Sequence, residues 1–493
     1  MDGPVDGGLR RQLSIWEAIG ISVALMAPSM AANINPQGTA GSVGRAVPLA
    51  FALATVGVLF VAYTFVRLCQ AYHHAGSVYG FVGATLGARP GVVAGWSLLG
   101  TYVFYGVVTS AAAGIFGAAF LTQVGIWPDA PDWAPFPLLA VALVGVFLLA
   151  VSPARRGTRL LLVVEGVTVL LILLVTVVVL VRLLSGTAPG GRTFDLSVFT
   201  VPPGTETSAL FLGVVFGFLS FAGFEAAATL GEEARNPRRD VPRAILGTAI
   251  FGGVYFVFVT AVEVMGFGTD DAGVAAFTSS SSLLGDLGSG YIGPWVGDLI
   301  TLGAAVSAFG CALACAVGAS RLLFALARDG VLPTGLAQVS ESRGTPGRAT
   351  AAVVLTMAVI ALVDAAVFGG APFDLFSWSG TIGTLILIVV YVLATVGAVR
   401  LLFFSGPPRV NRAEIVIPVL ALLVLGYTLY RNVIPYPEGP AAWFPVVCAV
   451  WILLAVLFVL ARPSVARRAG DRLTADSGLS AAGRPADPID APK

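Results

Sequence analysis

Two glutamates, Glu165 and Glu225, stand inside long apolar stretches, where a carboxyl group has little to do except hold a proton or face a cation. A lone charge at the centre of a bilayer helix costs about 2.5–3.5 kcal/mol on insertion scales, so each is a candidate for function. Glu225 lies past the middle of its stretch; the plainer reading is a protonated glutamate tying its helix to a neighbour. Glu165 lies near the end of its stretch, where the side chain could instead snorkel toward water. Glu263 and Asp298 fall near stretch ends and are expected to be solvated. Tyr102, Tyr105 and Thr109 could present hydroxyls to a cavity, although packing is the plainer role. The four cysteines, Cys69, Cys311, Cys315 and Cys448, sit in or beside apolar runs without metal-binding spacing and read as packing residues. His73 and His74 have no third ligand, and no nucleophile stands beside a base. No metal, no other cofactor and no catalytic residue is expected.

The elements that must carry these residues follow from composition. Of 493 residues, 57% are hydrophobic and 11% charged, with a mean hydropathy of +0.90. Soluble domains carry about a quarter of their residues as charges, so a chain this apolar must turn much of its surface to membrane lipid. A net charge of +1 argues against nucleic acid as a partner, because phosphate binding needs a concentrated basic face. Crossing a membrane takes about 20 mainly apolar residues. Twelve such spans are predicted, near 15–35, 44–68, 91–121, 136–152, 158–184, 208–231, 243–267, 295–325, 349–368, 373–403, 413–431 and 441–461. The runs are continuous rather than alternating, which excludes a transmembrane β-barrel. The first run extends beyond signal-peptide length, so no cleavable leader is expected.

Basic residues orient the spans, because Lys and Arg favour cytoplasmic loops. With the N-terminus inside, 24 of the 28 basic residues fall on the cytoplasmic side, and only Arg45, Arg182, Arg192 and Arg431 fall outside. The expected organisation is a cytoplasmic segment 1–14, a transmembrane domain 15–461 and a flexible cytoplasmic tail 462–493.

Two spans are interrupted. The first carries Ala27-Pro28-Ser29-Met30-Ala31, in which Pro28 removes a backbone donor and clashes with the preceding turn. The sixth carries Phe221-Ala222-Gly223-Phe224 ahead of Glu225, with a glycine inside an apolar span. Non-helical backbone at membrane depth is tolerated only where it is buried in protein or lines a cavity. Paired interruptions in the first and sixth spans are the pointer to an inverted-repeat transporter with a midplane site. Free amides there suit a carboxylate, and free carbonyls suit an ammonium or a cation.

Three further stretches carry a resemblance. The second span leads into Arg67-Leu68-Cys69-Gln70, then Ala75-Gly76-Ser77-Val78-Tyr79 and Gly95-Trp96. The sixth runs through Gly223-Phe224-Glu225 into Glu232-Glu233-Ala234-Arg235-Asn236-Pro237 and on to Pro242-Arg243. The eighth ends Ala319-Ser320-Arg321-Leu322-Leu323-Phe324, then Arg328-Asp329-Gly330. Together they resemble the amino acid–polyamine–organocation permeases over roughly residues 15–460. The resemblance implies the leucine-transporter fold: spans 1–5 and 6–10 as two inverted repeats, with spans 11 and 12 accessory. It also implies a substrate site on the backbone of Ala27, Pro28, Ser29, Met30 and Ala31 and of Phe221, Ala222, Gly223 and Phe224. This sequence departs from the family in two respects. Several proton-coupled members carry a lysine in the fifth span, where Ile172 stands here, with Glu165 on about the same face. Members with gating tryptophans are matched by Leu219 and Cys315.

The function expected is secondary active transport of an amino acid across the plasma membrane, both termini cytoplasmic, with Glu165 or Glu225 as candidates for proton coupling. Rival readings are a polyamine or other amine permease or exchanger and, in another class, a non-transporting nutrient sensor. With Glu225 as the only carboxyl counted on the cavity segments, neutral or apolar amino acids are the favoured cargo.

Overall fold

The structure, a computed structural model, describes residues 15–72, 78–152, 155–230, 236–339 and 345–476. Arg10, Arg11, His73, His74, the loop glutamates Glu232 and Glu233, Arg235 and Arg343 lie outside these. Every long element among the described residues is helical. The chain runs α1 (Ile15–Met26), α2 (Pro28–Val43), α3 (Val47–Ala71), α4 (Val78–Leu86), α5 (Ala88–Gln123), α6 (Pro135–Ala150), α7 (Arg155–Ser185) and α8 (Leu210–Phe221). It continues through α9 (Pro237–Phe267), α10 (Asp271–Ser279), α11 (Leu283–Tyr291), α12 (Pro294–Arg328), α13 (Gly347–Ala366), α14 (Pro372–Val399), α15 (Val416–Arg431), α16 (Trp443–Ala461) and α17 (Pro463–Asp476).

The polarity of the bundle is inverted relative to a water-soluble protein. On α7, Leu160, Val163, Val167, Leu170 and Leu174 are all more than half exposed, while Glu165, Thr168, Ile172 and Thr176 are buried. An apolar stripe at helical spacing turned outward, over a buried face with a carboxyl and two hydroxyls, has only lipid as its natural solvent. Small residues draw the inner helices together: a Cβ on Gly106 of α5 would collide with the Met357 side chain of α13, the close approach typical of helices packed in membranes. Helices α5 and α12 have 36 and 35 residues. At 1.5 Å per residue each is about 50 Å long, more than the ~30 Å of hydrocarbon, so they tilt or protrude.

Among the described residues, nine helices are long and apolar enough to cross a membrane, Pro28–Ala71 counting as one; Pro135–Ala150 and Thr207–Phe221 are shorter apolar helices. That measure falls short of twelve because a break divides the first expected span, and α6 and α8 have only 16 and 12 residues.

The expected flexible tail is in part a docked helix. α17 packs on α4 and α5, with Ala466 and Ala469 buried and Gly470 too close to the Ala88 carbonyl for any Cβ. Arg472 Nη1 stands 3.3 Å from Asp329 Oδ1 at the end of α12. A face of small residues makes this contact, a feature that the polar composition of the tail conceals.

Candidate functional site

The first interruption falls one residue before Pro28. Ala27 takes φ 46° and ψ 56°, and is the only non-glycine with positive φ among the described residues. Left-handed backbone on an L-residue costs roughly 1–2 kcal/mol, so neighbours must hold it. Pro28 does not break a helix interior; it opens α2 at a position where its missing N–H is no loss and its fixed φ suits the helix. Around it, Ala31 N donates to Ala27 O (2.9 Å) and the Tyr255 hydroxyl reaches Pro28 O (3.4 Å). Residues Ala27 to Ala31 are all buried.

The amides at this helix start are occupied. Ser29 N donates to Glu165 Oε1 at 2.9 Å, and Met30 N donates to Ser307 Oγ at 3.3 Å. Glu165 therefore does not snorkel to water: α7 brings it under α2, where its carboxylate caps the helix. Its position suits it, since an anion at a helix N-terminus is favoured by the free amides and the helix dipole. Further along α2, Asn33 Nδ2 donates to Ser29 O, while Asn33 Oδ1 accepts from Ser282 Oγ and Leu284 N. These bonds tie α2 to the start of α11.

The second interruption meets the first. α8 ends at Phe221, Ala222 turns to ψ 125° and Gly223 takes φ +100°. The chain then closes in tight turns, with Phe224 N on Phe221 O (3.0 Å) and Ala226 N on Gly223 O (2.9 Å). A Cβ placed on Gly223 would lie 3.1 Å from Leu25 Cβ and 3.2 Å from the Leu25 carbonyl carbon. Only glycine allows the two broken segments to touch while adopting this φ. Ser22 of α1 strengthens the junction, its Oγ accepting from Ala227 N at 3.0 Å. Phe221 and Phe224 serve as core rings rather than open contacts: Phe221 packs edge-on against Phe256, and Phe224 against Phe65 and Tyr391.

Glu225 follows this turn. Among the described residues its Oε2 and the Tyr391 hydroxyl are both without a hydrogen-bond partner, although the two side chains lie within interaction range. Tyr102, packed against Gly318, is also within electrostatic reach of Glu225. The hydroxyls of Tyr105 and Thr109 are engaged, with Thr384 at 3.0 Å and with the Tyr105 carbonyl at 2.7 Å. Ile172, Leu219 and Cys315 are buried.

Glu263 departs from expectation. It is fully buried rather than solvated, because α11 packs along the end of α9 that carries it, whereas Asp298 keeps partial exposure. Ser22, Tyr255, Ser307 and Tyr391 belong to the site and were not singled out from the sequence. Their only signal was a polar side chain within an apolar span.

A helical membrane bundle with two broken helices in contact beside buried carboxyl groups has the build of a transport protein. The amino acid permease family model matches residues 16–472, and the chain belongs to that family. It is a permease, and not an enzyme. An uncharacterized transporter of Mycobacterium tuberculosis is 30% identical over 424 residues, covering 85% of this chain and 87% of the relative. The low-affinity putrescine importer PlaP of Escherichia coli is 28% identical over 333 residues, covering 66% of this chain and 68% of the relative. The branched-chain amino acid permease BcaP of Lactococcus lactis is 25% identical over 395 residues, covering 76% and 79%.

Proposed function

We propose that this permease is a secondary active transporter carrying an amino acid across the plasma membrane by alternating access, with proton coupling at Glu165. The observation that carries the reading is the Ser29 N–H donated to Glu165 Oε1. A substrate carboxylate seeking the start of α2 competes with Glu165 for the same donor. A proton taken up by Glu165 removes the competing negative charge and frees Ser29, so proton and substrate load together. Gly223 sets the backbone of the second break at contact distance, and Glu225, with one carboxyl oxygen unpartnered beside Tyr391, faces the substrate ammonium. In this reading the chain crosses twelve times within residues 15–461. Helices α1–α7 and α8–α14 form the inverted repeats, α15 and α16 are accessory, and both termini are cytoplasmic.

A second reading keeps the fold and changes the cargo to an organic amine. It is favoured by the position of Glu165, which joins Glu225 at the breaks as a second carboxyl, and the similarity to PlaP supports it. The experiment is uptake of labelled amino acids and amines into proteoliposomes with and without an acidic exterior. Gradient-driven accumulation of neutral amino acids supports the first reading, accumulation of amines alone supports the second, and uptake of neither would sink both.

A further inference from the structure

Helix α9 buries a carboxyl group that the site above does not use. Glu263 is fully buried, and among the described residues neither Oε1 nor Oε2 has a hydrogen-bond partner. Among the described residues, the elements packed against α9 offer no countercharge at this level. α2 has no titratable residue; α1 has Glu17, and α3 has Tyr63, Arg67 and Cys69, all toward the opposite end of α9. α7 carries Arg155, Arg156 and Arg159 in its first turns, then Glu165 and, at its last turn, Arg182. α10 carries Asp271, exposed, and α11 carries Asp286, which accepts from Ser280. Tyr291 of α11 and Arg192 direct their donors to the Gly266 carbonyl, at 3.0 and 2.7 Å, and Asp195 accepts from Ser197 and Thr269. The Tyr255 hydroxyl is the group within electrostatic reach of both Glu263 and Glu165.

The seam around Glu263 is tight. One turn further along α9, a Cβ on Gly266 would lie 2.9 Å from Leu287 of α11 and 3.1 Å from Val179 of α7. A charged carboxylate held there without partners is far costlier than a neutral acid. The closed seam therefore accommodates the protonated form, and the ionised form requires water, which enters only when α9 and α11 part. By linkage, each protonation state favours the conformation that binds it better. α9 also reaches the first break through Tyr255 and Pro28 O, so movement at the seam is felt at the site.

We propose that Glu263 is a second proton-binding residue of the transport cycle, placed on the outer seam between α7, α9 and α11, where taking up a proton closes the seam and losing it opens the seam. The proposal rests on the transporter reading and orientation given above. The test uses the full chain in proteoliposomes with Leu287→Cys, labelled from outside by an impermeant maleimide, the native chain serving as the blank for its own cysteines. Labelling should accelerate, by about tenfold, from acid to alkaline external pH. Glu263→Gln and Glu263→Leu, both unable to ionise, should label slowly at every pH. A rate independent of external pH in the parent, or a wild-type rise in the Gln variant, overturns the proposal and leaves Glu263 as a packing residue. Counterflow of the labelled amino acids and amines in the same vesicles separates the two failures: counterflow with a flat labelling profile removes this inference alone, and absence of counterflow of any of them in the parent removes the proposed transport reading beneath it.

Discussion

Glu165 Oε1 lies 2.9 Å from the backbone nitrogen of Ser29, across 136 positions of sequence. The contact joins α7 to the broken start of α2 and places an acidic side chain on the Ser29 amide there. Met30, the next amide, is held by Ser307 of α12, so three helices converge on one turn of backbone.

Replacing Glu165 by Gln removes the titrating group and keeps its size. Accumulation driven by a pH gradient should be lost while counterflow persists. Binding at alkaline pH should tighten roughly tenfold, since a neutral amide competes for the Ser29 donor less well than a carboxylate. Equilibrium binding across pH and flux in proteoliposomes measure both. Wild-type accumulation in Glu165→Gln would move the coupling role to Glu225 or remove it.

Gly223 tolerates no side chain, because its φ of +100° is strained for any L-residue and Leu25 occupies the space a Cβ needs. Gly223→Ala should weaken substrate binding by about tenfold or more, given a strain of about 1–3 kcal/mol. Gly223→Leu should abolish binding in a protein that still inserts and purifies as a monodisperse species. Unchanged affinity in Gly223→Leu would place the substrate elsewhere.

The proposed topology is checked by single cysteines. Substitutions at Gly190, Ala275 and Pro437 should react with an impermeant thiol reagent applied outside. Those at Arg235, Thr345 and Ala475 should react only after permeabilisation. External reaction at position 235 contradicts the twelve-span arrangement.

At the Arg67 end of the bundle, Glu414 accepts from Arg67 and from the Tyr63 hydroxyl (2.6 Å), and these bonds hold its carboxyl below the ordinary glutamate range. A depressed folded-state pKa contributes stability that is present above the unfolded pKa and lost as pH falls through the folded one. Glu414→Gln should therefore lower Tm at neutral pH by about 1–3 °C, a small effect because the group is partly exposed. The gap should close in strongly acidic buffer. Thermal melts of the two proteins across pH test this, and a gap that widens in acid would count against the assignment.

Much of the site was legible along single spans. Pro28 and Gly223 marked the interruptions because each alters the backbone locally, and Glu165 and Glu225 stood out because a carboxyl is rare in an apolar run. Phe221 and Phe224 were less legible: the same ring can line a cavity or fill a core, and only their packing on Phe256, Phe65 and Tyr391 distinguishes the two. Glu263 was misjudged from its distance to a span end, since the covering α11 is a separate short helix whose position no local pattern states.

The sequence by itself determined the helical membrane class, the family and the residues near which the two helices break, because hydropathy, proline and glycine act within one turn of the chain that carries them. Only the tertiary structure decided that the break falls at Ala27, that Glu165 and Ser307 occupy the amides behind it, that Gly223 rests on Leu25 and that α17 docks on α4 and α5. These depend on how separate helices are tilted and how closely they approach, and side chains more than a hundred positions apart meet only once that packing is set.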